Sequence, residues 1–247
     1  QALVLGVTRA NLDLRLIGQL MSQGVHGYGD NSFWVRKGEI KAVTDLKGKI
    51  VAINARGSTI DVAARAMLTR HGLEDGRDYQ IVEVRFPAML AALESKRVDL
   101  AILVQPFDQL AEKKGQFSPL FSFGDSLGPT QTLQYVARTE WVAKNRAVLV
   151  DFMEDHLRFR RWAEDPKNHK EAVAIVSKVI RQPVENLETW VFTKRGNYHD
   201  PEARSDNAIL QRNIEDLVKF GIVPTSIDVA KYTDMSIVDE AVRRLGK

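Results

Sequence analysis

The 247-residue sequence predicts an α/β fold built on mainly parallel sheet. Three observations carry that prediction. Short apolar runs of strand length alternate with segments whose apolar residues recur at helical spacing, the order that produces parallel strands joined by covering helices. Gly, Pro, Asn and Asp punctuate these runs as turn formers. The composition, 44% hydrophobic and 27% charged, is that of a globular chain, and the length suffices for one large core or two lobes of about 100 to 150 residues each.

Taken in order, residues 2 to 10 read as a helix and 14 to 20 as a strand, the latter because its apolar run is short and bounded by turn formers. Residues 23 to 30, QGVHGYGD, form a Gly-rich loop that leads into a strand at 31 to 36. A polar turn at 45 to 49 delivers an apolar strand at 50 to 53. Gly57-Ser58-Thr59 intervene, and residues 61 to 71 then carry Val62, Ala66 and Leu68 at helical spacing before ending at Gly72. A strand at 79 to 84, a short helix at 87 to 96 with Met89, Leu90 and Leu93 inward, and an apolar strand at 98 to 104 follow. Beyond Pro106 the pattern loosens until a strand at 132 to 137. One long helix is expected over 140 to 164, halted before Pro166, with Val148, Leu149, Phe152, Phe159 and Trp162 on its inward face. Residues 168 to 247 read as predominantly helical, with a break at Gly221-Ile222-Val223-Pro224.

Composition also excludes several functions. With no cysteine, disulfides, thiolate metal sites and a cysteine nucleophile are impossible within this sequence. The net charge is +3, without the runs of like charge that mark nucleic-acid tails, so no nucleic-acid partner is expected. His26, His71, His156, His169 and His199 show no metal-binding spacing, and neither a metal nor a cofactor is expected. The chain opens at Gln1-Ala2-Leu3-Val4 without a charged leader and cleavage site.

The sharpest local signal is the strand at 50 to 53 running into Arg56-Gly57-Ser58-Thr59 and a helix, because a helix N-terminus offers unpaired N–H groups to an anion. The competing reading is a Ser58-x-x-Asp61 capping box that satisfies those donors itself. Tyr28 and Trp34 flank the Gly-rich loop as candidate ligand-enclosing aromatics or as core, and Gly24, Gly27 and Gly29 permit close backbone approach or a tight turn. Gly124-Asp125-Ser126-Leu127-Gly128 fits the G-x-S-x-G pattern of serine hydrolases. The nucleophile elbow needs a helix after the serine, and Gly128-Pro129-Thr130 starts none of the required geometry, so no catalytic residue is assigned.

Taken together, Asp45-Leu46-Lys47-Gly48-Lys49-Ile50-Val51-Ala52, Gly57-Ser58-Thr59, Ala91-Ala92-Leu93, Val98-Asp99-Leu100-Ala101 and Gln105-Pro106-Phe107 resemble, in order and spacing, the nitrate/sulfonate/taurine-binding proteins, the SsuA/THI5-like or NMT1-like family. The chain departs from that pattern with Lys96-Arg97 where glycine is usual and Gln105 where glutamate is common. The resemblance implies a type II periplasmic-binding-protein fold, two lobes joined by two crossing strands near residues 33 to 38 and 134 to 138, with the ligand in a cleft between them. Residues 1–38 and 138–247 would form the first lobe, preceded by a further strand and helix, and residues 39–137 the second. It further implies a solute receptor of an ABC importer rather than an enzyme: a monomer, periplasmic or lipid-anchored, that presents a small anionic or polar organic solute to a permease in the inner membrane. Expected ligand contacts are Gly57, Ser58, Thr59 and Gln105 opposite Gly27 and Tyr28, with Arg56 and Arg195 as candidate guanidinium groups. Two alternatives share the fold, an enzyme resembling the thiamine pyrimidine-precursor synthases and the effector domain of a LysR-type regulator.

Overall fold

Strand pairing in the computed structural model, which describes residues 2–246, separates the chain into two units, Gln1–Tyr28 with Pro129–Lys247 and Gly29–Gly128. The first unit begins with α1 (Ala2–Thr8) and β1 (Leu14–Gln23). The chain then enters the second unit, which runs β2 (Ser32–Arg36), β3 (Lys49–Ile53), α2 (Thr59–Arg70), β4 (Tyr79–Glu83), α3 (Phe86–Glu94), β5 (Leu100–Leu103), α4 (Phe107–Lys114), β6 (Phe117–Ser122) and α5 (Phe123–Leu127). It returns to the first unit through β7 (Thr130–Arg138), α6 (Thr139–Lys144), α7 (Arg146–Glu164), α8 (His169–Ile180), α9 (Asn207–Lys219) and α10 (Ser236–Leu245).

The second unit holds a five-stranded sheet in the order β4-β3-β5-β2-β6. Its middle strand, β5, is the most apolar, and all four of its residues are fully buried, as a strand covered on both faces requires. Phe33, Val51, Ile53, Leu68, Met89 and Leu93 complete this core from the neighbouring strands and from the inner faces of α2 and α3. In the first unit β1 pairs antiparallel with β7. The α7 residues Leu149, Val150, Met153 and Leu157 pack there with Ile17 of β1 and with Ile237, Val238 and Ala241 of α10.

Several expectations change. The five-stranded sheet is mixed rather than mainly parallel, with β3 parallel to β4 and β5 but β2 antiparallel to β5 and β6, and the two-stranded sheet is antiparallel. The units divide at 28/29 and 128/129 rather than at 38/39 and 137/138, because β2 is stitched between β5 and β6 while β7 is stitched to β1. Residues 107 to 127, which carry no clear periodicity, fold as α4, β6 and α5. The polar turn before β3 includes a 3₁₀ turn, Val43–Leu46, with the Asp45 carboxylate accepting the Lys41 and Ala42 N–H groups. The single helix expected over 140 to 164 is two, divided at Asn145, whose side-chain amide donates to the Trp141 carbonyl at 2.8 Å. Its inward face also differs. Val148, Phe152 and Phe159 are exposed, and the buried stripe is Leu149, Val150, Met153, Leu157, Arg160 and Ala163.

Ser126 of the hydrolase-like pentapeptide lies inside α5, 1% exposed, with its hydroxyl donating to the Ser122 carbonyl at 2.8 Å. A nucleophile elbow presents its serine outward at a strand-to-helix turn, so this geometry is that of a helix residue.

Candidate functional site

The sequence-derived site residues fall into both units. Arg56, Gly57, Ser58, Thr59 and Gln105 belong to the second, and Gly27, Tyr28 and Arg195 to the first.

In the second unit β3 and β5 are parallel neighbours, paired Val51 to Leu100 and Ala52 to Ala101, so their carboxyl ends emerge side by side. The loops that carry residues 56 to 59 and Gln105 therefore leave from one edge of the sheet, where ligands of open α/β sheets are bound. Gly57 has φ +72°, a left-handed conformation that glycine adopts without strain. Its N–H donates to Asp61 Oδ2 at 2.7 Å, and Asp61 Oδ1 accepts from Arg65 Nε at 2.8 Å. Ser58 is the N-cap of α2: its Oγ accepts the Asp61 N–H at 3.3 Å and donates to Asn54 Oδ1 at 2.9 Å. That hydroxyl is engaged locally in both directions, as the capping reading requires. Arg56 is committed too, reaching Asp75 at 3.1 Å and the Ile81 carbonyl at 2.9 Å. Burial works to raise the Asp75 carboxyl, but Arg56 and Arg65 outweigh it and hold the group below its usual range. Gln105 precedes Pro106 across a cis peptide bond.

In the first unit a cavity of about 660 Å³ opens beside α7, within the size range of small-molecule sites. Arg160 and Glu164 of α7, Val176 of α8, and Trp190, Phe192, Asn197 and His199 of the following irregular segment line it together with Tyr28. The segment is held in place locally. Trp190 Nε1 donates to the Asn186 carbonyl at 2.8 Å, and a Cβ on Gly196 would lie 2.6 Å from the Trp190 carbonyl oxygen, so only glycine allows this close backbone approach. Tyr28 meets Tyr198 edge-on at 5.3 Å between ring centres.

Arg160 is the chemical centre of this cavity. It is 8% exposed, its guanidinium carbon lies 5.6 Å from the centre of the Phe192 ring, and it forms an ion pair with Glu164. Burial lowers its pKa to about 10, with Tyr28 and Tyr135 opposing, so it stays cationic at neutral pH. Burial also pushes the His199 imidazole down to about 4, helped by Arg160 and opposed by the Leu20 backbone. His156 is lowered for the same two reasons, burial first and Arg160 second. Both histidines are therefore neutral at pH 7, leaving Arg160 as the buried charge among them. His199 Nδ1 and Asn197 Oδ1 are buried without a hydrogen-bond partner, a state that costs about 1 to 3 kcal/mol per group unless something in the cavity meets it. A fixed planar guanidinium beside aromatic walls suits a small organic oxyanion, whereas the Asn197 amide oxygen, an acceptor, calls for a donor group on the same occupant.

Of the sequence-derived residues, only Tyr28 lines this cavity; Arg195 is exposed and lies outside its lining, although Lys194 and Gly196 are part of it. Arg160 escaped the sequence reading because the wrong stripe of α7 was taken as inward. The signal was present: Leu149, Met153, Leu157 and Arg160 fall at helical spacing, and an arginine on an otherwise apolar face marks a buried charge. Among the described residues no cluster of three or more His, Asp and Glu side chains is placed to hold a metal ion, and no helix is long and apolar enough to cross a membrane.

The sequence profile of the NMT1-like family matches residues 29–177, well over half of the chain. The chain belongs to the NMT1-like family. Among curated relatives, this NMT1-like chain is 22% identical over 85% of its length to YtlA of Bacillus subtilis (strain 168) and 23% identical over 96% of its length to the nitrate/nitrite binding protein NrtA of Synechococcus elongatus. It spans only 64% and 60% of those two proteins. Its fold is that of the periplasmic aliphatic sulphonate binding protein SsuA of Escherichia coli, with a TM-score of 0.69 and 21% identity over 94% of this chain and 77% of that one. The desulfurization enzyme DSZB has the same fold, with a TM-score of 0.69 and 17% identity over 98% of this chain and 83% of the enzyme.

Proposed function

We propose that this NMT1-like chain is the solute receptor of an ABC importer, a monomer held in the periplasm or anchored by lipid outside the cytoplasm. It captures a small anionic or polar organic solute, of the sulfonate, nitrate, taurine or carboxylate class, and presents it to the membrane permease without chemical change. The observation that carries this reading is Arg160, a buried cation facing an aromatic-lined cavity with one carboxylate as its ion-pair partner. A guanidinium carries five N–H donors in a fixed fork, so one carboxylate leaves it short of acceptors, and burial keeps water from supplying them freely. Nitrate/nitrite and aliphatic sulphonate binding by proteins of similar sequence or fold supports an oxyanion as the missing acceptor. On this reading Tyr28 encloses the solute. On the second unit the proposed further contacts are Thr59 and Gln105, while Gly57 and Ser58, whose N–H groups are engaged by Asp61 and the Ala55 carbonyl, stand with Gly27, Arg56 and Arg195 as peripheral ones.

The similarity to DSZB favours a second reading, an enzyme on the same fold. One experiment separates them. The protein is screened by thermal unfolding against nitrate, alkanesulfonates, taurine and aromatic carboxylates. A ligand at one hundred times its Kd adds about 2.7 kcal/mol, which raises the melting temperature by roughly 5 to 11 °C for a chain of this size. A stabilising compound recovered unchanged by mass spectrometry supports the receptor. Its steady conversion by the protein alone would establish the enzyme, and no shift with any class would refute oxyanion capture.

A further inference from the structure

The Arg160–Glu164 pair is placed where a helix least favours it. Side chains four residues apart pair best with the carboxylate toward the helix N-terminus, and here the order is reversed. Glu164 is moreover the last residue of α7, where the negative end of the helix dipole opposes a carboxylate. The two partners also differ in freedom. The Arg160 side chain is 9% exposed and lies over the Phe192 ring, whereas the Glu164 side chain is 34% exposed and can reach water. Both line the same cavity.

We propose that Glu164 is an internal competitor of the solute: its carboxylate occupies the Arg160 guanidinium while the cavity is empty, and an oxyanion group of the solute takes its place as Glu164 swings to water. The inference rests on reading this cavity as the solute site. The exchange keeps the buried cation paired in both states, avoiding the cost of an isolated buried charge. It also sets specificity. Only a group that satisfies the guanidinium better than a carboxylate on a helix C-terminus displaces it, so an uncharged analogue of the same shape gains nothing at Arg160.

Calorimetry with benzenesulfonate and its uncharged analogue benzenesulfonamide tests this on the wild type, Glu164→Gln and the double variant Arg160→Gln/Glu164→Gln. Removing the competing charge is expected to tighten benzenesulfonate binding on the order of tenfold, the scale of one charge-assisted hydrogen bond, and to leave benzenesulfonamide unchanged. The double variant is expected to lose the gain. Should Glu164→Gln fail to fold, Glu164→Asp, whose shorter side chain falls short of Arg160, is expected to tighten binding in the same direction. If the wild type binds benzenesulfonate and the variant binds it no more tightly, or tightens on both probes alike, Glu164 merely positions Arg160 and the proposal is overturned while the solute site stands. If neither protein binds either probe, the oxyanion found by the thermal screen and its uncharged analogue take their place under the same criteria, and if the screen finds none the reading of the cavity falls and the proposal falls with it.

Discussion

Replacing Asp61 by Asn probes how the sheet edge of the second unit is held in shape. The Asp61 side chain is 1% exposed, and its two oxygens are spent on the Gly57 N–H at 2.7 Å and on Arg65 Nε at 2.8 Å. Hydrogen bonds to a charged group contribute about 1.5 to 3 kcal/mol each, and asparagine retains about 1 kcal/mol of a neutral one. Removing one partner of a buried pair costs about 3 to 5 kcal/mol when the survivor is left alone. Arg65 is not left alone, since its Nη2 still reaches Asp75 at 2.8 Å, and its side chain is 22% exposed. These offsets bring the expected loss to about 2 to 3 kcal/mol, a large fraction of the 5 to 15 kcal/mol that a typical domain possesses. Hydrogen exchange read by mass spectrometry over residues 49 to 70 measures this locally. Asp61→Asn should speed exchange there about thirty- to one-hundred-and-sixty-fold, with little change in α9 or α10 of the first unit. Unchanged protection over β3 and α2 would mean that apolar packing alone holds the loop, and the network account of Gly57–Asp61–Arg65 would be wrong.

Two further outcomes are expected. Replacing Ser58 and Thr59 together by alanine should lower stability by about 1 kcal/mol through the lost cap, and, where the hydroxyls touch the solute, weaken its binding by about 1 to 3 kcal/mol. Unchanged affinity in calorimetry with a lowered melting temperature assigns Ser58 to capping alone. The second concerns pH. His199 has a folded-state pKa near 4 against about 6.5 when unfolded, so the unfolded chain takes up its proton first as pH falls. Stability is therefore complete above about pH 6.5 and declines toward pH 4, by on the order of 2 to 3 kcal/mol, with His156 acting in the same direction. Denaturation midpoints across that range should flatten in His199→Gln, and an equal slope in the variant would place the titration elsewhere.

Much of the local structure was legible because its causes are local. The cap at Ser58, one of two readings the sequence left open, the strand expected at 50 to 53 and found at 49 to 53, and the strand expected at 98 to 104 and found at 100 to 103 all follow from residue types within a few positions of one another. Family membership was legible for a related reason: the D-L-K-G-K, G-S-T and V-D-L-A segments lie along one stretch, residues 45 to 101, inside the matched region.

What only the tertiary structure decided lies where one segment permits two solutions. The α7 sequence offers two apolar stripes, Val148-Phe152-Phe159-Trp162 and Leu149-Met153-Leu157, and periodicity alone does not choose between them. Docking on β1 and α10 turns the second stripe inward, and Arg160 follows it into the cavity. Pairing partners are likewise invisible to a strand's own residues, so the antiparallel seat of β2 and the unit boundary it sets emerge only when β5 and β6 close on it. By itself the sequence determined most helices and strands up to residue 104, because propensity, capping and turn chemistry act over a few residues, but not α4, β6 and α5 or the break at Asn145. The structure decided which faces are buried and which charges meet, because those depend on contacts such as Tyr28 with Tyr198, 170 positions apart along the chain.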